Sequence, residues 1–505
     1  MITFDKVLKS IGLQKAAKKT APIEIPDRAA FERAAQSYAW FYEGIRQTRE
    51  RSAFIRGPRD SKDLNTSFTR HEFLDVARYL YANDGLARGS INEMARYTVG
   101  PGRKPQAMTE DEEVNDAYEA YFRQWTYSAD YYRLHHFNRL QYLWNVAEAR
   151  DGDVGIALVR DERGEPAVQT IRGHRIGNFG ESQNSDRMKD GIVTDDTDRL
   201  VGFRVRVGDK EGRTIPANSF ILFAENEETD AIRGITKLSH AINHVRDKHD
   251  LLSSEKTAVK TLSRFAGVIK SGTGTVTEGD WNDDPQVSEP TKVSIAQMQE
   301  GILPSIKGDE EILPFDFSRP SPTFTGFLEF LIREISFGCG LPFEFLWNPS
   351  ALGGTSQRFI LEKAQRRFNE RQELFDNVVL TRIWGFVIGD AIERGLLPFD
   401  PRWNMVRWGG LSWLSVDAGR DQKNDRDDVL AGLMSEATHA AMTGADWREN
   451  RRQKEREALD LIQRASALAA STGKEFDLCL SLLRQGTPNG NPESKKQKPD
   501  QKAIQ

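Results

Sequence analysis

Residues 318–395 read SRPSPTFTGFLEFLIREISFGCGLPFEFLWNPSALGGTSQRFILEKAQRRFNERQELFDNVVLTRIWGFVIGDAIERG, and the fold turns on how this stretch divides. It reads as helix, break and longer helix. The first helix starts after Pro322, with Thr323 or Thr325 as its cap, and spaces Phe327, Phe330, Leu331, Ile335 and Phe337 at three- and four-residue steps. Gly338, Gly340 and Pro342 mark its end. Residues 341–354 then hold three aromatics, two prolines and a Gly-Gly pair, too apolar for an ordinary solvent loop and too broken for a helix. From Thr355 to Arg394 the helical pattern resumes. At ~1.5 Å per residue that makes a rod on the order of 55–60 Å, unusual in a compact enzyme domain.

Working upstream, residues 235–268 predict another long helix, with Leu238, Ile242, Val245, Leu252, Val259 and Leu262 as a narrow apolar stripe among charges. Such a stripe suits a helix packed beside like helices. The segment 269–322 between the two is rich in Gly, Pro, Ser and Asp, and its carboxylates include Asp280, Asp283, Asp284 and Glu289. It reads as a linker or a small subdomain, with short strands expected at 273–277, 292–295 and 312–315. Further upstream, helical periodicity over 71–97 and 110–150 gives way to strand alternation at 154–159, 168–171, 203–207 and 219–223. Helices followed by short strands predict an α+β, predominantly helical chain. Residues 1–70 form a leader of mixed character, either an arm that contacts DNA or a shell protein or, more simply, a solvated terminus. Downstream, the tryptophans of 403–413 suggest a packed strand or turn, 421–464 returns to helix through the charge-dense RENRRQKERE of 448–457, and 486–505 has the composition of a disordered tail.

Composition narrows the function classes. Charged residues make up 29% of the chain and hydrophobic residues 38%, which is ordinary for a protein with a buried core. A net charge of -5 does not favour tight nucleic-acid binding, which shows as a basic domain. No apolar run approaches the ~20 residues that cross a bilayer, and Lys6 and Lys9 break the pattern of a signal peptide, so a membrane is not expected among the partners. Cys339 and Cys479 are the only cysteines and support neither a disulfide framework nor a zinc site. There is no Walker A word; GTGTVTEG at 272–279 lacks the lysine and the following helix, and no G-x-S-x-G occurs. His240 and His244 stand four apart on the predicted helix, yet His249 falls on another face and solvated histidines are the simpler reading. No catalytic residue, metal or cofactor is expected. The alternative, a cytosolic enzyme with a helical cap on an α+β core, has no motif that promotes it.

Three words, in order, carry a resemblance. ARYTVGPGRKPQ (95–106), IPANSFILFAENEETDAIRGITKLSHAI (215–242), and SPTFTGFLEFLIREISFGCGLPFEFL (321–346) with SQRFILEKAQRRF (356–368) resemble the lambda-type portal protein family of tailed bacteriophages over roughly residues 70–460. Gly353-Gly354-Thr355-Ser356 stands where the family has a polar word, and Trp413-Leu414-Ser415-Val416-Asp417 lacks a family proline.

The resemblance implies a portal-like architecture: an N-terminal arm (1–70), a wing (71–234), a long-helix stem (235–268 and 323–338), a small α/β clip (269–322), a tunnel loop (339–356), a long tunnel helix returning to the wing (357–416), a helical crown (417–485) and a disordered tail (486–505). It implies a dodecameric ring at one capsid vertex, assembled in the host cytoplasm and retained in the virion as head-tail connector, through which double-stranded DNA is packaged and ejected. Terminase, capsid and head-completion or adaptor proteins are the implied partners, with Asp280, Asp283, Asp284 and Glu289 at the docking clip. The acidic balance would keep DNA from sticking to the channel. Phe343, Phe345, Trp347, Asn348, Ser350 and Arg358 are the implied tunnel-loop residues, and the stripe from Leu238 to Leu262 the implied subunit interface. For the three aromatics, packing into an interface remains the other reading. Arg358, Lys363, Arg366, Arg367 and Arg371 stand among Glu362, Glu370 and Glu373, so phosphate contact and ion pairing are both open.

Overall fold

The structure is a computed structural model that describes residues 66–178, 187–206, 212–262, 268–271, 310–313, 322–347, 354–409, 411, 414 and 418–484. The chain divides into two units, Met1–Asp60 and Ser61–Gln505, and every described residue lies in the second. Expectations for the leader before residue 66, for Asp280, Asp283, Asp284 and Glu289, for Asn348 and Ser350, and for the tail after residue 484 lie outside the described residues.

The described chain is α+β and predominantly helical. Helices α1 (Ser67–Asn83) and α2 (Gly85–Val99) meet at Asp84, whose carboxylate accepts bonds from Leu86 N and Ala87 N and so caps α2. Helix α1 begins at Ser67, inside what the sequence assigned to the arm. After β1 (Pro105–Ala107) come α3 (Glu112–Trp125), opened by Asp111 with Glu112 and Glu113 in its first turn, and α4 (Phe137–Asp151).

Strands β2 (Asp153–Arg160), β3 (Pro166–Arg172) and β8 (Phe220–Ala224) form an antiparallel sheet in the order β3-β2-β8. A second antiparallel sheet joins β4 (Met188–Lys189), β5 (Ile192–Thr194), β6 (Leu200–Arg206) and β7 (Gly212–Pro216) in sequence order. Period-two alternation had marked the longer strands of both sheets. Strands β1, β4, β5 and β7 are too short or too polar to show it.

Helix α5 (Ile242–Leu262) starts seven residues later than expected. Residues 237–241 are turns, and Thr236 Oγ1 accepts a bond from Leu238 N, so Leu238 sits at helical spacing without being in the helix. Val268, expected at its end, opens β9 (Val268–Ser271), which pairs with β10 (Glu310–Leu313). Helix α6 (Pro322–Gly338) returns alongside α5, followed by the short α7 (Phe343–Leu346).

The long helix is continuous from Gly354 to Glu393, about 60 Å at ~1.5 Å per residue. It comprises α8 (Gly354–Phe375), a π-helical segment (Asp376–Leu380) and α9 (Thr381–Glu393). The π turn was not foreseen, because DNVVL fits an ordinary helix equally well. Strand β11 (Val406–Trp408) then pairs with β1. The C-terminal region, expected as one helix over 421–464, is instead α10 (Ala418–Leu430), α11 (Glu436–Met442), α12 (Trp447–Thr472) and α13 (Phe476–Arg484). The breaks fall at Gly432, Gly444 and Gly473, all with left-handed backbones.

Two core clusters meet along the long helix. The first gathers Trp144, Phe122, Phe137, Phe223 and Trp408 around Phe375, Val379, Leu380, Trp384 and Val387. The second gathers Ile91, Met94, Leu238, Ile242, Val245, Ile335 and Cys339 around Ala364 and Phe368. One rod therefore spans both clusters, and its orientation is fixed by burial at two places.

Candidate functional site

Where the long helix crosses the body, its buried face stops being apolar. Arg371 and Gln372 are buried at the junction of the two clusters, and a charge placed there needs partners. Arg371 donates Nη2–H to Glu148 Oε2 at 2.7 Å and Nη1–H to Glu225 Oε2. Glu225 also takes Arg367 Nη2 at 2.5 Å and Lys237 Nζ at 3.3 Å, while Glu148 Oε1 accepts a bond from Glu225 N. Burial pushes the Glu225 carboxyl up, but Arg371, Lys237 and Arg367 outweigh it and hold the group below the usual carboxylate range. Gln372 donates to Tyr97 O.

One turn further on, Asp376 opens the π segment and receives both Nε–H and Nη2–H of Arg103. Thr381 Oγ1 donates to the Asp376 carbonyl at 2.8 Å and accepts a bond from Trp408 Nε1 at 3.2 Å, which closes the widened turn. Burial leaves the Asp376 carboxyl above its ordinary range despite Arg103.

A second buried arginine organises the sheet side. Arg233 donates to Asp153 through Nε (2.6 Å) and Nη2 (3.1 Å), and to the carbonyls of Gly173, Ile176 and Asp190. Asp190 in turn pairs with the buried Arg70 at 2.7 Å. Next to Arg233 the backbones of Gly234 and Gly152 touch. Gly152 has a φ of +95°, and a Cβ on it would lie 2.6 Å from Gly234 O; a Cβ on Gly234 would collide with Gly152 O. The Arg-Gly-Ile word thus supplies a charge that ties the sheet and a residue that lets two chain segments cross.

The aromatic break is anchored to the same joint. Phe345 lies edge-on to Tyr97 at 5.0 Å and beside Phe368 at 5.6 Å, with Tyr97 stacked on Phe368 at 5.0 Å. Phe343 carries the Arg333 guanidinium over its ring at 4.7 Å, and Trp347 is half exposed. So Phe345 packs inside the subunit, Phe343 is partly buried under Arg333, and Trp347 is exposed. Arg358 is exposed on the first turns of α8, and Arg366 pairs with Glu362.

The stripe expected between subunits is not one surface. Leu238, Ile242 and Val245 are buried in the chain's own second cluster, Leu252 is half-buried, Val259 is exposed, and the Leu262 side chain lies outside the described residues. The helix leaves the body partway along its length, so its first turns fill the core and its later turns do not. Conversely α6 buries Leu331, Ile332 and Ile335 and exposes Phe327, Phe330 and Phe337 at 51%, 52% and 78% on its other side. The sequence had placed Phe327, Phe330, Leu331, Ile335 and Phe337 in one pattern.

His240 precedes α5, so it does not share a helix face with His244. Asp151, in a cleft of about 550 Å3 with Arg78, His135 and Arg172, gives both carboxylate oxygens to Arg78 and Arg150. Burial alone would raise its carboxyl, but these arginines hold it low and committed to ion pairing. The ion pairing of Arg103, Glu148, Asp153 and Asp190 escaped the sequence reading, since nothing in a single chain says which distant charges meet.

The three sequence words converge here: Arg103 and the turn at Gly100 and Gly102 come from the first, Glu225 and Arg233 from the second, Phe345 and Phe368 from the third. The sequence pattern of the family described as "Phage portal protein, lambda family" matches residues 48–372, a span that holds all three. No curated protein matches the chain. Among solved structures, the chain is similar to the neck of a native gene transfer agent (GTA) particle computed with C12 symmetry, at 13% identity over 74% of this chain and 93% of that one, with a TM-score of 0.44. The neck of an empty GTA particle computed with C6 symmetry is similar at 14% identity over 77% and 95%, TM-score 0.43. The virion of a native GTA particle gives 13% identity over 77% and 95%, TM-score 0.41. With a family pattern spanning well over half of its length, this chain belongs to the lambda family of phage portal proteins.

Proposed function

We propose that this portal chain is the subunit of a closed ring, twelve copies at one capsid vertex, whose central hole passes double-stranded DNA into and out of the particle. The family match carries this reading, and the outer face of α6 supports it. Three large aromatics at helical spacing, on the face of α6 turned away from its buried Leu331, Ile332 and Ile335, are costly to leave in water, and a repeated neighbour would cover them.

In this reading α5 and α6 form the stem, with the α6 aromatic face as the contact between copies. Segment 269–322, rooted on the β9–β10 pair, is the clip that docks terminase during packaging and head-completion proteins later. The stretch that the resemblance makes the tunnel loop would narrow the channel, with Phe345 anchoring its described start on Tyr97 and Phe368, and Phe343, Trp347, Asn348, Ser350 and Arg358 are the residues assigned to that role. The buried ion pairs at Arg371 and Arg103 keep the long helix at a fixed angle to the wing, so that load on the rod is passed to the shell-facing part. The chain acts by geometry and serves in the virion.

Electron imaging of the purified protein tests this reading. Annular particles with a central hole wide enough for a duplex are expected; compact small oligomers without a hole would reject it.

A further inference from the structure

The C-terminal helices α10–α13 bury little. Among the described residues their buried apolar side chains are Ala440, Ala465 and Cys479, and neither the two clusters along the long helix nor a third, between the sheets around Ile176, Phe203 and Phe220, draws a member from them. The chain's last fixed points before them are Leu411, packed over Gly100, and Leu414, whose N–H donates to Gln365 Oε1 at 3.1 Å.

Among the described residues a polar seam joins α12 to α3. Asp446 caps α12 by accepting from Arg448 N and Glu449 N. Arg448 then reaches across the seam, donating Nη1–H to Ala107 O at 3.3 Å and lying 3.9 Å from Glu119. One turn on, Arg452 pairs with Asp116, both about two-fifths exposed. A cleft of about 160 Å3 separates the helices, and Arg123, Glu449, Gln453 and Arg456 complete its lining. Burial raises the Glu119 carboxyl, and Asp446 adds to the effect.

We propose that this seam is a salt-sensitive latch: the Arg448–Glu119 and Arg452–Asp116 pairs hold α12 on α3, and the 418–484 helices swing away from α3 when those charges are screened. The exposed Arg452–Asp116 pair is individually weak, the partly covered Arg448–Glu119 pair is long at 3.9 Å, and no apolar contact in the core clusters backs them up. The screening length falls from about 8 Å at 0.15 M salt to about 3 Å at 1 M, below the 3.9 Å Arg448–Glu119 separation, while the contact pair Arg452–Asp116 is open to competing ions because both side chains are about two-fifths exposed. The remainder of the molecule keeps its two buried cores through the motion.

The chain's own cysteines, Cys339 and Cys479, are both buried, so spin labels can be directed to exposed positions on the two helices with Ala120→Cys and Ser466→Cys. Pulsed electron resonance on the full chain, diluted with unlabelled copies, reads their separation. A narrow distance at low salt that lengthens and broadens at about 1 M, and that is already long in Arg452→Glu at low salt, is expected. Exchanging the charges, with Asp116→Arg and Arg452→Asp together, should restore the narrow distance, which separates a latch from general loss of fold. A distance that stays narrow at high salt and in Arg452→Glu overturns the proposal.

Discussion

Arg371 of the long helix and Glu148 of α4 meet at 2.7 Å with side chains 2% and 0% exposed. Such a pair adds little net stability over apolar residues of the same volume, but it tolerates only one partner geometry and so fixes how the rod sits. Replacing Arg371 by Met leaves Glu148 and Glu225 buried without their shared cation. A loss of about 3–5 kcal/mol is expected in denaturant unfolding. The triple change Arg371→Met, Glu148→Gln, Glu225→Gln should recover much of it. If the single change costs no more than a surface substitution, the joint is not where the helix is held.

Gly234 crosses Gly152 with no room for a methyl group. Gly234→Ala must push apart the end of α4 and the chain entering α5, at about 1–3 kcal/mol. A melting temperature several degrees below that of the parent protein would be the signature, whereas Gly164→Ala, at an open turn with φ of +77°, should feel backbone strain alone.

Acid should loosen the joint. Burial opposes ionisation of Asp151, Asp190 and Glu225, yet neighbouring arginines, joined at Glu225 by Lys237, hold each carboxyl below its unfolded value. Their contribution is complete above the unfolded pKa, about 4, and is lost as pH falls through the folded values. Asp376 and Glu119 act with the opposite sign: burial raises both, so their contribution is present at low pH and lost as pH rises through their folded pKa. Thermal stability should therefore be level near neutrality and drop below about pH 4, with a shallower drop in Glu225→Gln. An acid branch identical in Glu225→Gln would contradict the assignment.

These charges also show where a single sequence stops being legible. Helices at 112–125, 322–338 and 354–393 and the strands at 153–160 and 220–224 could be read because their larger apolar residues recur periodically along the sequence. Leu238 misled, since it keeps helical spacing while lying in a turn. Phe327 and Leu331 looked equivalent, because periodicity names the apolar positions without saying which of two faces meets its own core. The Arg371–Glu148 pair spans 223 residues, and nothing local at either end announces the other. The aromatic break could be recognised as unusual, but its anchoring through Phe345 on Tyr97 and Phe368 depends on three separate segments.

The central claim is that copies of this chain associate through the outer face of α6. Mass measurement of single particles, on the parent protein and on Phe327→Glu with Phe330→Glu, tests it most directly. The parent should be found as a closed ring of many copies, and the variant as folded single chains with an unchanged circular dichroism spectrum. Rings of the same mass in both would contradict the claim.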